Sequence, residues 1–463
     1  MPAFDPVLAD IRFGCGLSPY IPPPADAEAL IGSLTAPDGA AERHEVEDFE
    51  TFMARMIDYN EQLRIRRKTR GTPEAEAATK QIRVLNKHAR IAQMTWMAQQ
   101  MARRTTTATP FRERLAGFWA DHFTVVGKAG LTRRGASPYV ESAIRPHLAG
   151  KFETLLIAAV THPMMVIYLD QRNSMGPNSP RALKRDAASG LNENLAREIL
   201  ELHTMGPDGP YTQTDVRELA ELLTGLTMQV PAGRKFRRDY AEPGAETVLG
   251  KTYGGDPAKF TDIWHALEDI ARHPATARHL ARKLARHFVS DTPDPALVTA
   301  IETALLDSEM DLTQAYRAMV THPAAWSTER PNVKRPFEFV SSALRALAMP
   351  PKLLLGLDER RFKQRIQRPM VLMGHAWERP DGPDGLEEAD DAWITPQGLA
   401  ARLQWAVSMP QVLMPGKLPD PRIFVKQALA DRATPAVHFA AKAAESRADG
   451  VGLVLASPAF QRM

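Results

Sequence analysis

Cysteine is nearly absent. Cys15 is the only one in 463 residues, which excludes an intrachain disulfide and any cysteine-based zinc cluster. No apolar run approaches the roughly 18 residues that a membrane span requires. The first residues, MPAFDPVLADIRFGCGLSP, carry no basic region followed by an apolar core. They predict no secretory signal, and a cytoplasmic location is the expectation. A Gly-rich phosphate loop, a nucleophile elbow and a paired CxxC are all missing, which counts against kinase, P-loop and elbow-hydrolase chemistry. The formal net charge is only +3, so no whole-molecule field calls for a polyanion. The basic run at 64–70 and the Arg278, Arg282, Arg286 row lack interleaved aromatics and read as solvated helix faces. No nucleic acid is expected as a partner.

What is present is a chain rich in Ala, Leu and Arg and punctuated by 37 prolines. That pattern predicts many short helices with sharp turns, an all-α fold class and a large bundle-like body. Residues 1–44 read as an N-terminal arm with one short helix near 26–34, and residues 45–463 as a single mainly helical domain. Long helices are predicted over 45–66, with Phe49, Phe52, Met53, Met56 and Ile57 facing inward, and over 73–103. Phe111, Leu115, Phe118 and His122 share one helical stripe, which puts a histidine on an apolar face. Three His-Pro pairs, at His162, His273 and His322, read as structural corners between helices. A small β-hairpin is expected over 235–249. The polar stretch 171–190 reads as a flap, and 379–391 as an irregular acidic loop closed by a new helix capped by Thr395 before Pro396.

The densest concentration of chemically capable side chains is Asn192-Glu193-Asn194-Leu195-Ala196-Arg197-Glu198-Ile199-Leu200-Glu201-Leu202-His203-Thr204. Wound at about 100° per residue, Asn194, Glu198 and Glu201 form one stripe with Arg197 beside it. His203 falls on the opposite, apolar side. One helix therefore cannot offer Glu198, Glu201 and His203 to a single metal in the way an H-E-x-x-H helix offers its two histidines. A shared site needs His122 or Asp215 brought in from neighbouring elements. The plain structural reading is a salt-bridged polar stripe and a buried, hydrogen-bonded histidine.

Several segments resemble one known family. They include Ile11-Arg12-Phe13-Gly14, Phe118-Trp119-Ala120-Asp121-His122-Phe123, the 192–204 stretch, Tyr211-Thr212-Gln213-Thr214-Asp215, Lys283-Leu284-Ala285-Arg286-His287-Phe288 and the tail from Leu455 to Arg462. The chain resembles the bacterial family called domain of unknown function 1800, over nearly its whole length. The resemblance implies a large, single, mainly α-helical module without an established activity. It also implies that many relatives are exported and occur beside a sulfatase-like protein bearing a twin-arginine signal. Many relatives carry a histidine where Ala120 stands and a tryptophan where Leu226 stands. A ligand supplied from position 120 would be missing here.

The reading that follows is an enzyme with a carboxylate and histidine site on the 192–204 helix. Glu198, Glu201, Arg197, Asn194 and His203 are its catalytic candidates. Glu198, Glu201, His122 and Asp215 are the candidate ligands for a divalent transition metal. The alternative is a non-catalytic partner or maturation factor for a co-exported sulfatase-like protein, with the stripe as a structural network. On that alternative the chain would reach the periplasm folded, carried by its signal-bearing partner.

Overall fold

The computed structural model describes residues 4–184, 190–416 and 418–463. Helices dominate, and the strands among those residues form two antiparallel hairpins. The prolines act as the sequence suggested. Thr72-Pro73, Asp294-Pro295, Thr395-Pro396 and Ser457-Pro458 each open a helix, with the Thr, Asp or Ser oxygen accepting a first-turn N–H. Proline loses nothing there, because the first-turn N–H groups have no helical partner.

The His-Pro corners are helix caps of an unusual kind. Nδ1 of His162, His273 and His322 accepts the N–H of Met164 (3.1 Å), Ala275 (3.1 Å) and Ala324 (3.2 Å). A free lone pair on Nδ1 requires a neutral ring with its proton on Nε2. The histidines thus serve the helix that follows rather than the end of the one before.

Helix Pro110–His122 runs through the largest apolar core, with Phe111, Leu115, Phe118 and Trp119 buried. Trp119 Nε1 donates to the Tyr316 hydroxyl (2.6 Å), which donates in turn to Leu148 O (3.0 Å). Leu8, Ala9, Phe13, Leu30, Ile31 and Leu34 belong to this core. Phe13 meets Phe111, Phe288 and Trp326, and buried Arg12 donates to the carbonyls of Ala325, Ser327 and Glu329. The second core is built mostly from residues after 336. Helix Pro73–Thr106 joins the two: Ala89 and Trp96 belong to the first, Met97 and Met101 to the second.

Two details depart from the sequence reading. Phe49, Phe52, Met53 and Met56 are buried in helix Phe49–Lys68, but Ile57, at the edge of their stripe, is 42% exposed. The β-hairpin expected over 235–249 is two hairpins with other pairings. Strand β1 (Leu226–Gln229) pairs with β2 (Gly233–Phe236), and β3 (Gly244–Val248) with β4 (Lys251–Gly255). Leu249 and Gly250 both have positive φ, 53° and 77°, which makes the two-residue turn that matches strand twist. The polar stretch 171–190 holds a turn at Gln171–Asn173 and a helix at Pro180–Leu183, while its residues 185–189 lie outside the described residues.

Trp119 fixes the position of helix Pro110–His122 by packing and by its link to Tyr316. Trp119→Ala is expected to lower unfolding free energy by about 3–5 kcal/mol, read from urea denaturation of the whole chain. A loss under about 1 kcal/mol would mean that the helix is held by other contacts.

Candidate functional site

The 192–204 segment is α-helical over Asn194–Glu198 and then widens into a π-helix over Ile199–Thr204. Such widening is frequent near functional sites. Thr204 Oγ1 donates back to Ile199 O (2.6 Å) across the wide turn. Asn194 is exposed, and its N–H donates to Asn192 Oδ1 (2.9 Å). Arg197 Nη2 donates to Glu193 Oε2 (3.1 Å) and Gln213 Oε1 (3.0 Å), tying this helix to the next. Glu198 and Glu201 are half-buried on the same side. Burial, then the Glu201 charge, then Asp384 of the acidic loop push the Glu198 carboxyl up to about 7 against the pull of Arg197.

His203 turns the other way, as the helical geometry predicted, and meets His122. The two are reciprocal: His122 Nε2 donates to His203 O (3.1 Å) and His203 Nδ1 donates to His122 O (3.1 Å). Burial holds both rings neutral; Lys283 adds to the effect, and His203 falls to about 3. His122 Nδ1 and His203 Nε2 keep no protein partner. Asp215 caps a helix instead of joining the glutamates. Its Oδ2 accepts from Thr212 N–H (2.8 Å) and Oγ1 (2.6 Å), and its Oδ1 from Leu249 N–H (2.7 Å). Among the described residues, one group of three places its ligand atoms within 4.8 Å of one another, namely Glu218, Glu221 and Glu246. It contains none of the four residues Glu198, Glu201, His122 and Asp215, which do not assemble into a donor set.

The more developed site lies on the other flank of helix Pro110–His122. There Ala116, Gly117 and Ala120 are small, and Glu113 and Asp121 flank them. They form the floor of a cavity of about 160 Å³. Arg104, His287, Arg335 and Glu338 stand around it, and its roof is the segment from His375 to Leu386. A Cβ on Gly117 would lie 2.8 Å from Arg104 Nη2, so glycine is what lets that guanidinium lie against the floor. Ala120, where many relatives were expected to carry histidine, lines this cavity.

The acidic loop is the roof, and its acids are anchors. Asp121 Oδ1 accepts from Leu386 N–H (2.8 Å) and Oδ2 from Arg335 Nη1 (2.7 Å). Glu388 lies against Arg335 Nη2 (2.8 Å) and His287 Nδ1 (3.1 Å). Burial opposes ionisation of Glu388, but Arg335 and His287 hold its carboxyl well below the usual range. Gly385 (φ 88°) presses on Asp121, where a Cβ would lie 2.7 Å from both the carbonyl and Oδ1.

Three groups around the cavity can do chemistry. His287 has Nδ1 fixed by Glu388, while its buried Nε2 has no partner. Arg104 is buried and donates from Nη2 to Glu113 O (3.1 Å). Its guanidinium sits 5.0 Å from the Phe337 ring centre, and Nη1 has no hydrogen-bond partner. Glu378 is pushed up to about 7 by burial, although Gln93 Nε2 (2.8 Å) and Ser137 Oγ donate to it. The sequence reading missed Arg104, Asp121, His287, Glu378 and Glu388. The available signal was the run of small residues opposite the Phe111 stripe, framed by Glu113 and Asp121.

Glu378 makes the site pH-dependent. Its ordinary value is 4.5 and its folded value about 7, so between those pH values the folded chain keeps a proton that the unfolded chain releases. Stability from this group therefore falls as pH rises through that window, and the cost is complete above it. Glu378→Gln cannot ionise. Its stability relative to the parent is expected to rise between pH 5 and pH 7.5, by on the order of 2–3 kcal/mol, measured by denaturant unfolding at each pH. A pH-independent difference would contradict the assignment.

One family model, described as "Protein of unknown function (DUF1800)", matches residues 22–462. No curated protein and no solved structure matches the chain.

Proposed function

We propose, from the premise that this chain belongs to the DUF1800 family, that it is an enzyme whose reaction takes place in the cavity under the 379–391 loop. One observation carries this reading: His287 and Arg104 line the same cavity, Glu388 orients His287 through Nδ1, and His287 Nε2 and Arg104 Nη1 are buried without a hydrogen-bond partner. A carboxylate fixes the tautomer of the imidazole and stabilises the imidazolium once it has taken a proton. Nε2 of His287 is the proton acceptor. Glu378, poised near neutrality, is the proton donor. Arg104 meets negative charge that develops on the substrate, in surroundings that exclude most water and so strengthen the interaction. A volume of about 160 Å³ suits a small molecule or the reacting end of a longer one.

The carboxylate and histidine chemistry expected from sequence is thus assigned to different residues. The divalent transition metal has no step in this reading, because Glu198, Glu201, His122 and Asp215 do not converge. Glu198 is a second candidate for proton transfer. Its carboxyl is held near 7 with no hydrogen bond from a described residue, and Asp384 of the same roof loop acts on it. On that reading Glu198 and Glu201 work on the outer side of the loop, with Arg197 and Asn194 at the helix start and His203 as a structural residue.

The test is consumption of compounds from a cell extract, followed by mass spectrometry. The parent chain is expected to convert at least one compound. His287→Gln is expected to slow that conversion by about 10²–10⁴-fold, and Ala120→Leu, which fills the cavity floor without touching a charge, to abolish it. Glu198→Gln should leave it unaltered. Identical extract profiles for the parent and His287→Gln would overturn the cavity reading, and loss confined to Glu198→Gln would move the chemistry to the outer helix.

A further inference from the structure

The cavity has a charged neighbour. Trp377 and Arg379, from its roof, also line an open groove of about 620 Å³. Five cationic side chains line that groove, Arg90, Arg134, Lys363, Arg368 and Arg379, against one carboxylate, Glu359. Glu359 is already shared between Arg90 (3.0 Å) and Lys363 (2.6 Å). Arg368 and Arg379 are exposed and pair with no carboxylate among the described residues. The basic lining continues past Arg90 and Arg134 into a second depression of about 440 Å³, where Arg83, Lys87 and Arg133 stand without an acid.

A solvated helix face explains cations in a row along one helix. It does not explain cations that converge from four separate segments: helix Pro73–Thr106, the 130–134 turn, the helical stretch 359–372 and the roof at 379. The crowding has a cost. After burial, the charges of Arg379 and Arg90 lower the proton affinity of Arg134. The whole chain carries a net charge of only +3, so the concentration is local. Like charges held together in this way are a pre-formed field for an anion. A single carboxylate would neutralise one of these cations. Guanidinium forks match phosphate oxygens two at a time, and several linked phosphates meet several forks within a short length.

We propose that the groove binds the phosphate chain, of two or more linked phosphates, of the ligand whose other end enters the cavity. This names the substrate class and rests on the reading of the cavity as the reaction site. Trp377 and Glu378 stand at the junction: Gln93 of the groove donates to Glu378 (2.8 Å), so an anion seated there touches the surroundings of the proton donor. Val371 and Leu372, both exposed in the groove wall, give an apolar surface to the organic part.

The test is calorimetric titration of the full chain with inorganic tripolyphosphate at low and at physiological salt. Saturable binding of one molecule per chain is expected, weakening as salt rises. The double substitution Arg368→Gln with Arg379→Gln, at two exposed positions, is expected to weaken it at least roughly tenfold. Arg278→Gln, outside the groove lining and paired with Glu302, should leave it unchanged. His287→Gln should keep tripolyphosphate binding while losing turnover, which separates failure of this inference from failure of the cavity reading. Absence of saturable binding, or equal binding by the double variant and the parent, overturns the proposal. So does tighter binding of a single-stranded DNA oligonucleotide with the same sensitivity to Arg368 and Arg379, which would make the groove a nucleic-acid surface.

Discussion

A guanidinium taken out of water has to be met by carboxylates or carbonyls, and this requirement organises the molecule. Arg335 is buried and is met by Asp121 from one helix and Glu388 from the roof. Arg114 meets Glu338, Arg103 meets Glu141, and Arg145 meets Glu113 and Asp38. Each pair joins segments far apart in the chain. Carbonyls serve as well: Arg345 donates to those of Gly16, Arg104 and Thr107, and Arg112, beside Asp38 (3.4 Å), to those of Ser33, Leu34 and Ala36. Removing one member of a buried pair leaves the other uncompensated, a cost of about 3–5 kcal/mol. Arg104, at the cavity, donates to the Glu113 carbonyl and keeps Nη1 without a hydrogen-bond partner.

The histidines divide along the same line. His162, His273 and His322 lend a lone pair to a helix start. His122 and His203 lend an N–H to each other's carbonyl. Lending a lone pair needs the neutral ring, and burial, with neighbouring cations at His162 and His203, keeps His162, His203 and His375 neutral down to about 3. His287 differs in having a carboxylate beside it.

Much of the fold was legible in the sequence because helices announce themselves locally. Proline after Thr, Asp or Ser marks their starts, and the Phe111, Leu115, Phe118 stripe marks their buried face. The divided faces of the 192–204 helix were legible too: His203 is buried and Glu198 and Glu201 are not. Periodicity is silent about what meets a face from elsewhere. The approach of Arg104, Arg335 and Glu388 to Asp121 is a matter of tertiary placement, and so is the diversion of Asp215 to the Thr212 and Leu249 backbone. The acidic loop read as an irregular stretch, yet Glu388 meets buried Arg335 and Asp390 accepts the Val333 N–H. That this stretch forms hairpin structure was legible, but the pairing was not, because the positive-φ turn falls at Leu249-Gly250.

Glu388 has two attachments, and they couple access to reactivity. The same carboxylate that clips the roof to Arg335 also orients His287. On the proposed reading, displacement of the 379–391 segment would withdraw the group that fixes the imidazole, so a single carboxylate ties the seating of the roof to the orientation of His287.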